Sequence, residues 1–298
     1  MNQAPHQSPN GVDEPVTEPA PAMAQPHKNA LFSRGLGADL TSLDWLKALA
    51  VTTMIIDHIG YYFMADSDWW RLVGRFSAPI WLFLIGFALT HAIPKRLVLG
   101  AILLVLVDLA TMEPLFPLNI LASIIIIRWA LPIITKPALL TPENLLPMVV
   151  VLGCLALPSW FAVEYGVLGL LFALFGHLCR RDHNNHWALT IIGAVCVAVY
   201  TGWQYLVFEF TASQTAILGL GTTVIMLGLY RFQKHRYADT GRAWYAPLMR
   251  FLGRYTLEIY VGHLVLFGVI AYWLADFGYF DVFLIERPDS WLRSGTTP

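Results

Sequence analysis

Apolar runs long enough to cross about 30 Å of hydrocarbon follow one another along most of the chain, near residues 42–64, 70–92, 97–112, 118–134, 144–160, 164–180, 187–203, 213–230 and 253–275. In a bilayer every backbone N–H and C=O must find its partner within the protein, so runs of this length become helices. The expected fold is therefore all-α: a polytopic membrane bundle of about nine transmembrane helices, with ten as the upper count. Composition agrees, since 57% of the 298 residues are hydrophobic and 13% charged, a balance foreign to ordinary soluble domains. Trp45 and Tyr61, Trp187 and Trp203, and Trp244 and Trp273 stand at run ends, where amphipathic rings settle at headgroup level. Pro94, Pro114 and Pro117 bound the third and fourth runs, which are short enough to cross tilted or to re-enter.

Loop charge sets the expected orientation, because Lys and Arg accumulate on the cytoplasmic side. Lys95 and Arg96, Lys136, Arg180 and Arg181, and the group Arg231, Lys234, Arg236, Arg242 and Arg250 occupy alternate loops. The intervening loops carry Asp66, Asp68, Glu113, Glu164, Glu209, Asp276 and Asp281. The amino terminus is thus expected inside and the carboxyl terminus outside the cytoplasmic (inner) membrane. Residues 1–38 are polar and proline-rich, a composition that buries too little apolar surface to fold, and are expected to form a cytoplasmic tail. Residues 39–278 form the membrane domain and 279–298 an extracytoplasmic tail. No cleavable leader is expected, since the first apolar run is too long for one.

Charge also excludes some functions. The formal net charge is −1, and no basic groove with interleaved aromatics suggests nucleic acid. Cys154, Cys179 and Cys196 stand singly, without the paired spacing of a zinc or redox site. No P-loop, GxGxxG turn or GxSxG elbow occurs, so a covalent serine mechanism has no support.

Chemistry concentrates in the first run, LDWLKALAVTTMIIDHIG. Lys47 and His58 are eleven residues apart, which at about 100° per residue returns to within roughly 20° of the same face, about 16 Å further along the axis. Asp57 precedes His58 in an otherwise apolar stretch, and two ionisable residues there are expensive enough to mark function. A neutral imidazole is the form that serves as general base. A cation at one end of a helix and a base deep in the membrane suit a polyanionic nucleotide on a long thioester arm, as in an acyl-coenzyme A.

These residues resemble a known family. Lys47, ten intervening residues and His58 match the Arg/Lys-X10-His signature of the acyltransferase-3 enzymes and related transmembrane acyltransferases. Four segments are similar to the TraX family, named for acetylation of the F-pilin amino terminus: LDWLKALAVTTMIIDHIGYYF, RLVGRFSAPIWLFLIGFALTH, VEYGVLGLLFAL and LGRYTLEIYVGHLVLF. Departures are Glu164 where the family has Asp before Tyr165-Gly166, and Val261-Gly262 after Tyr260 where Pro is frequent. The resemblance implies acetyl-CoA as donor, His58 as the catalytic base with Asp57 beside it, Lys47 as a donor contact, and a pilin-type amino terminus or a glycan as acceptor. It also implies importance for Arg75, whose alternative is an interfacial arginine one turn from Arg71.

The remaining ionic residues carry alternatives. Asp108 and Arg128, on consecutive helices, are expected to form a structural bridge, since either alone would be costly in hydrocarbon; substrate contact is the other reading. Glu113 could orient His58. Arg250 and Arg254 are four apart and suit phosphates, or else Arg254 pairs with Glu258. Tyr260 and His263 share a helix face, as a core pair or as the lining of an acceptor cavity. His177 and Asp182 form an HX4D pattern at a helix end, and His183 and His186 lack a third ligand, so no metal is expected. The expected partners are acetyl-CoA, membrane lipid and the acceptor, and a homodimer is compatible with them. The competing functional classes are a proton-coupled transporter or flippase using Asp108, Arg128 and His58, and an assembly factor without catalysis.

Overall fold

The computed structural model describes residue 1 and residues 39–64, 66–110, 114–237 and 243–276. Residues 2–38 of the amino-terminal tail, the tail 279–298, and Glu113, Arg242 and Asp281 lie outside the described residues.

The described chain is mostly helical. Helix α1 spans Ser42–Phe63, α2 Asp68–Gly74, α3 Ser77–Phe87, α4 Lys95–Ala110, α5 Ile120–Ile134, α6 Pro142–Ser159, α7 Gly166–Arg181, α8 His186–Phe208, α9 Ala212–Tyr230, α10 Ala246–Arg254 and α11 Thr256–Asp276. Two short strands, β1 (Leu40–Thr41) and β2 (Arg236–Tyr237), pair antiparallel and tie the start of α1 to the connection after α9. An isolated bridge between Leu118 and Val163 likewise joins the α4–α5 and α6–α7 connections.

Helix α7 lies at the centre. Its side chains from Leu168 to Cys179 are all buried, the pattern of a helix apolar all round. It crosses α3 through facing glycines: a Cβ on Gly86 would strike the Ala173 carbonyl, and one on Gly176 the carbonyl of Phe83. Close backbone approach of this kind is how helices associate where no hydrophobic drive separates them from lipid. The outer helices keep apolar side chains exposed, among them Leu99 and Leu106 of α4, Val150 and Val151 of α6, and Leu220 and Val224 of α9. Such faces need a hydrocarbon solvent.

Among the described residues, α6, α8 and α9 are long and apolar enough to cross a membrane, and α10 with α11, bent by 82°, makes a fourth if it is one span. The other expected crossings are helical but shorter or more polar. Helix α1 carries Asp44, Lys47 and Asp57, and α4, α5 and α7 have 16, 15 and 16 residues.

The expected 70–92 helix is broken at Arg75–Phe76. Pro79 has no N–H to give to the carbonyl four residues back, which is that of Arg75. That freed carbonyl takes the Tyr200 hydroxyl instead, at 2.6 Å. The 253–275 helix is likewise interrupted, at Tyr255, where Arg254 turns back to α1.

Candidate active site

Helix α1 begins with a capping box. The Thr41 hydroxyl accepts from the Asp44 N–H at 3.2 Å, and the Asp44 carboxylate accepts from the Thr41 N–H at 2.9 Å. Asp44 also receives Arg254 Nε at 3.4 Å, while Arg254 Nη2 donates to the Asp39 carbonyl at 3.0 Å. Arg254 does not take its alternative partner Glu258, which instead meets Arg96 at 3.3 Å. Arg250, four residues earlier on α10, is partly buried.

At the other end of α1, Asp57 and His58 face different surroundings, since neighbouring helical residues diverge by about 100°. Asp57 is buried and holds two arginines. Arg75 donates Nη2 to Oδ2 at 2.6 Å and Nε to Oδ1 at 3.2 Å, and Arg71 donates Nη1 to Oδ2 at 3.0 Å. Arg75 also donates Nη1 to the Tyr165 hydroxyl at 3.3 Å, and its guanidinium lies 4.4 Å from the Phe208 ring centroid. The closeness requires Gly74, because a Cβ there would occupy the space of the Asp57 side chain. Arg75 is thus a buried ion-pair partner, only 6% exposed, not a surface arginine. Asp57, expected beside His58 in catalysis, is held in this lock, and its charge acts on His58 as well.

His58 meets α11. Its Nδ1 lies 2.9 Å from the Met54 carbonyl and 3.1 Å from Nε2 of His263, whose own Nδ1 lies 2.7 Å from the Ile259 carbonyl. A carbonyl only accepts, so Nδ1 of His263 carries its proton and, in the neutral ring, Nε2 is a bare acceptor. The proton shared with His58 then sits on Nδ1 of His58, forked between the Met54 carbonyl and His263. The His58 lone pair is left on Nε2, which has no hydrogen-bond partner among the described residues. Tyr260 completes the wall, its ring 6.2 Å from that of His58. An imidazole held in one tautomer with a free Nε2 can accept a proton from an amine or hydroxyl.

Lys47 and His58 share a stripe, as expected, with Val51 and Met54 between them. Both of those residues pack into an apolar cluster with Leu97, Ala101 and Leu104 of α4, Leu121 of α5 and Tyr260. A groove of about 620 Å³ beside the start of α1 is lined by Ser42, Trp45, Leu46 and Leu49 together with Arg231, Phe232, Gln233, His235 and Tyr237. Trp45 and Leu49 each stand two residues from Lys47, about 200° round the helix, so this groove opens on the opposite face.

The Asp108–Arg128 bridge is not formed. Arg128 Nη1 donates to the Ala92 carbonyl at 2.6 Å, and Asn119 donates to the Ala101 carbonyl at 3.2 Å. Antiparallel α5 therefore runs beside the first half of α4. Asp108 lies seven residues beyond Ala101, about 10 Å past the start of α5 at helical rise. His177 is buried on α7, and Asp182 accepts from Asn185 at 3.2 Å. His186 and His183 are both engaged with Tyr230, through a 2.6 Å hydrogen bond and a 4.9 Å ring stack respectively. No metal-binding group occurs among the described residues.

The four segments that carried the resemblance thus meet at one place. Asp57 and His58 come from the first, Arg71, Gly74 and Arg75 from the second, Tyr165 from the third, and Tyr260 and His263 from the fourth. The family model for the TraX protein matches residues 42–271. The chain belongs to the TraX family. It is also 26% identical over 142 residues to the uncharacterized protein RP591 of Rickettsia prowazekii (strain Madrid E), an alignment covering 48% of this chain and 57% of that relative. No solved structure matches.

Tyr165 of the TraX-like VEYG segment has φ 61°, and its hydroxyl is delivered to Arg75. Glu164, the departure from the family pattern, keeps its backbone in place through an N–H to Leu118 O bond of 2.9 Å and a Ser123 hydroxyl donated to its carbonyl. The pairing of His58 with His263 was not anticipated from the sequence. Its signal was the position of His263 one turn after Tyr260, which marked a polar face on an apolar helix.

Proposed function

We propose that this protein is an integral membrane acyltransferase of the acyltransferase-3 type, moving an acetyl group from acetyl-CoA to an amine or hydroxyl of an acceptor at the membrane. His58 is the general base. Its Nε2 removes a proton from the acceptor as the acceptor nitrogen or oxygen attacks the thioester carbonyl; the carbon–sulfur bond then breaks and the CoA thiolate leaves. The observation that supports this reading is the fixed tautomer of His58, which puts the ring's lone pair on the nitrogen that no group among the described residues occupies. Membership of the TraX family points to a pilin-type amino terminus as acceptor, and the wider resemblance to a glycan. The shorter helices complete a nine-crossing bundle around α7, with the basic connections and Lys47 toward the cytoplasm.

The test uses the purified full chain with acetyl-CoA. Donor binding and slow thioester cleavage are expected, with cleavage lost in His58→Ala while binding persists, and binding weakened in Lys47→Ala. Proton-coupled uptake into vesicles with no response to CoA would support a transporter in its place.

A further inference from the structure

The groove beside the start of α1 faces away from Lys47, and the acyl-transfer reading makes no use of it. One wall is Ser42, Trp45, Leu46 and Leu49, spaced i, i+3, i+4 and i+7 and so on one face of the helix. The other wall is the connection after α9, beginning at Arg231 and Phe232. Hydrogen bonds tie the two walls together. The Ser42 hydroxyl donates to the Gln233 carbonyl at 2.9 Å and accepts from the His235 N–H at 2.9 Å, and the Ser42 N–H donates to the His235 carbonyl at 3.0 Å. The pairing of β1 with β2 closes the same end, so the groove is formed before anything enters it.

The lining changes character along α1. Around Ser42 it is polar, through Gln233 and His235, and Arg231 at the end of α9 is exposed and makes no ion pair among the described residues. No carboxylate lines the groove among the described residues. Seven residues beyond Ser42, about 10 Å further along the axis, Leu49 is exposed apolar surface. Trp45 stands between, in the manner of an indole at headgroup level. A soluble nucleotide or polar peptide would leave the leucine end unmatched, and a bare acyl chain would leave Arg231 unmatched. A phospholipid carries the same gradient, from an anionic head to apolar chains.

We infer that this groove holds an anionic phospholipid, its phosphate toward Arg231 and its acyl chains over Leu46 and Leu49. The groove's volume of about 620 Å³ lies in the range of small-ligand sites. Lys234 and Arg236, exposed on the same connection, add the attraction that basic juxtamembrane segments exert on anionic lipid; Arg236 also meets Asp39 at 3.8 Å. The inference requires α1 to lie in a membrane and needs nothing from acyl transfer. Bound lipid joins the start of α1 to the end of α9, and so braces the helix that carries His58.

The experiment titrates the full chain in a neutral maltoside detergent with dioctanoyl phosphatidylglycerol, dioctanoyl phosphatidylcholine, glycerol 3-phosphate and CoA. The proteins are wild type, Arg231→Gln, Arg231→Lys, Leu49→Ser and His58→Ala. Phosphatidylglycerol is expected to bind saturably, with Kd raised about fivefold by Arg231→Gln, the worth of one basic residue toward an anionic lipid. Arg231→Lys should recover most of that loss, and His58→Ala should change nothing. Leu49→Ser should weaken both lipids, while phosphatidylcholine should not distinguish Arg231→Gln from wild type. Both residues are exposed, so these substitutions leave the core intact. In native membranes, benzoylphenylalanine in place of Leu49 should crosslink to phospholipid on irradiation. Crosslinking to residues 2–38 or to a second copy in place of lipid would overturn the inference. So would CoA or glycerol 3-phosphate binding that depends on Arg231 but not on Leu49, or phosphatidylglycerol binding that is absent or indifferent to both residues.

Discussion

Asp57 and His58 are neighbours in the chain, yet they do opposite things. Asp57 is saturated: two guanidinium groups share its carboxylate, and a tyrosine and an aromatic ring close around them. His58 is half satisfied, one nitrogen held by Met54 and His263 and the other open among the described residues. At Asp57 the cost of charge in a membrane is met within the fold, and at His58 it is left for a ligand. A buried ion pair of this kind fixes helices in register, and here it joins α1 to the broken α2–α3 segment. The open imbalance beside it is what chemistry can use.

That contrast can be broken at either residue. His58→Ala should lower acetyl transfer by about 10²- to 10⁴-fold, the usual worth of a general base, with the amount of folded protein unchanged; equal loss of both would make His58 structural. Asp57→Asn should do the reverse, costing about 3–5 kcal/mol of stability because two buried arginines lose their counter-charge. Thermal unfolding in detergent reads this, and a stable, inactive Asp57→Asn protein would mean that the carboxylate works in catalysis. His263→Leu should slow transfer about tenfold by releasing the His58 tautomer, whereas His263→Gln, whose side-chain oxygen can accept the same N–H, should stay near wild type; a rate profile across pH checks that the base itself is unchanged. The smallest effect is expected for Tyr200→Phe, which removes one hydrogen bond to the Arg75 carbonyl and should cost about 1 kcal/mol with no change in rate at saturating donor.

Much of this was legible in the chain. Apolar runs marked the longer helices, because hydrocarbon demands a continuous stretch, but not α10; the eleven-residue spacing placed Lys47 and His58 on one stripe. The break before α3 was also written in the sequence, in Pro79, but a hydropathy run does not register the carbonyl that a proline releases. The Asp108–Arg128 bridge does not form because the start of α5 meets α4 at Ala101, through Asn119, seven residues short of Asp108. Pairings such as Asp44 with Arg254 or His58 with His263, across some two hundred residues, depend on which helices become neighbours, and no local pattern carries that information. Adjacency in sequence did not show the other partners of Asp57: its carboxylate holds Arg71 and Arg75, while its charge still acts on His58.

Base catalysis by His58 depends on where one proton sits. The full chain labelled with ¹⁵N-histidine, its His58 signals assigned by their loss in His58→Ala, should show His58 protonated on Nδ1 and bare on Nε2, with that preference relaxed in His263→Leu. A His58 ring protonated on Nε2 in the wild-type protein would contradict it.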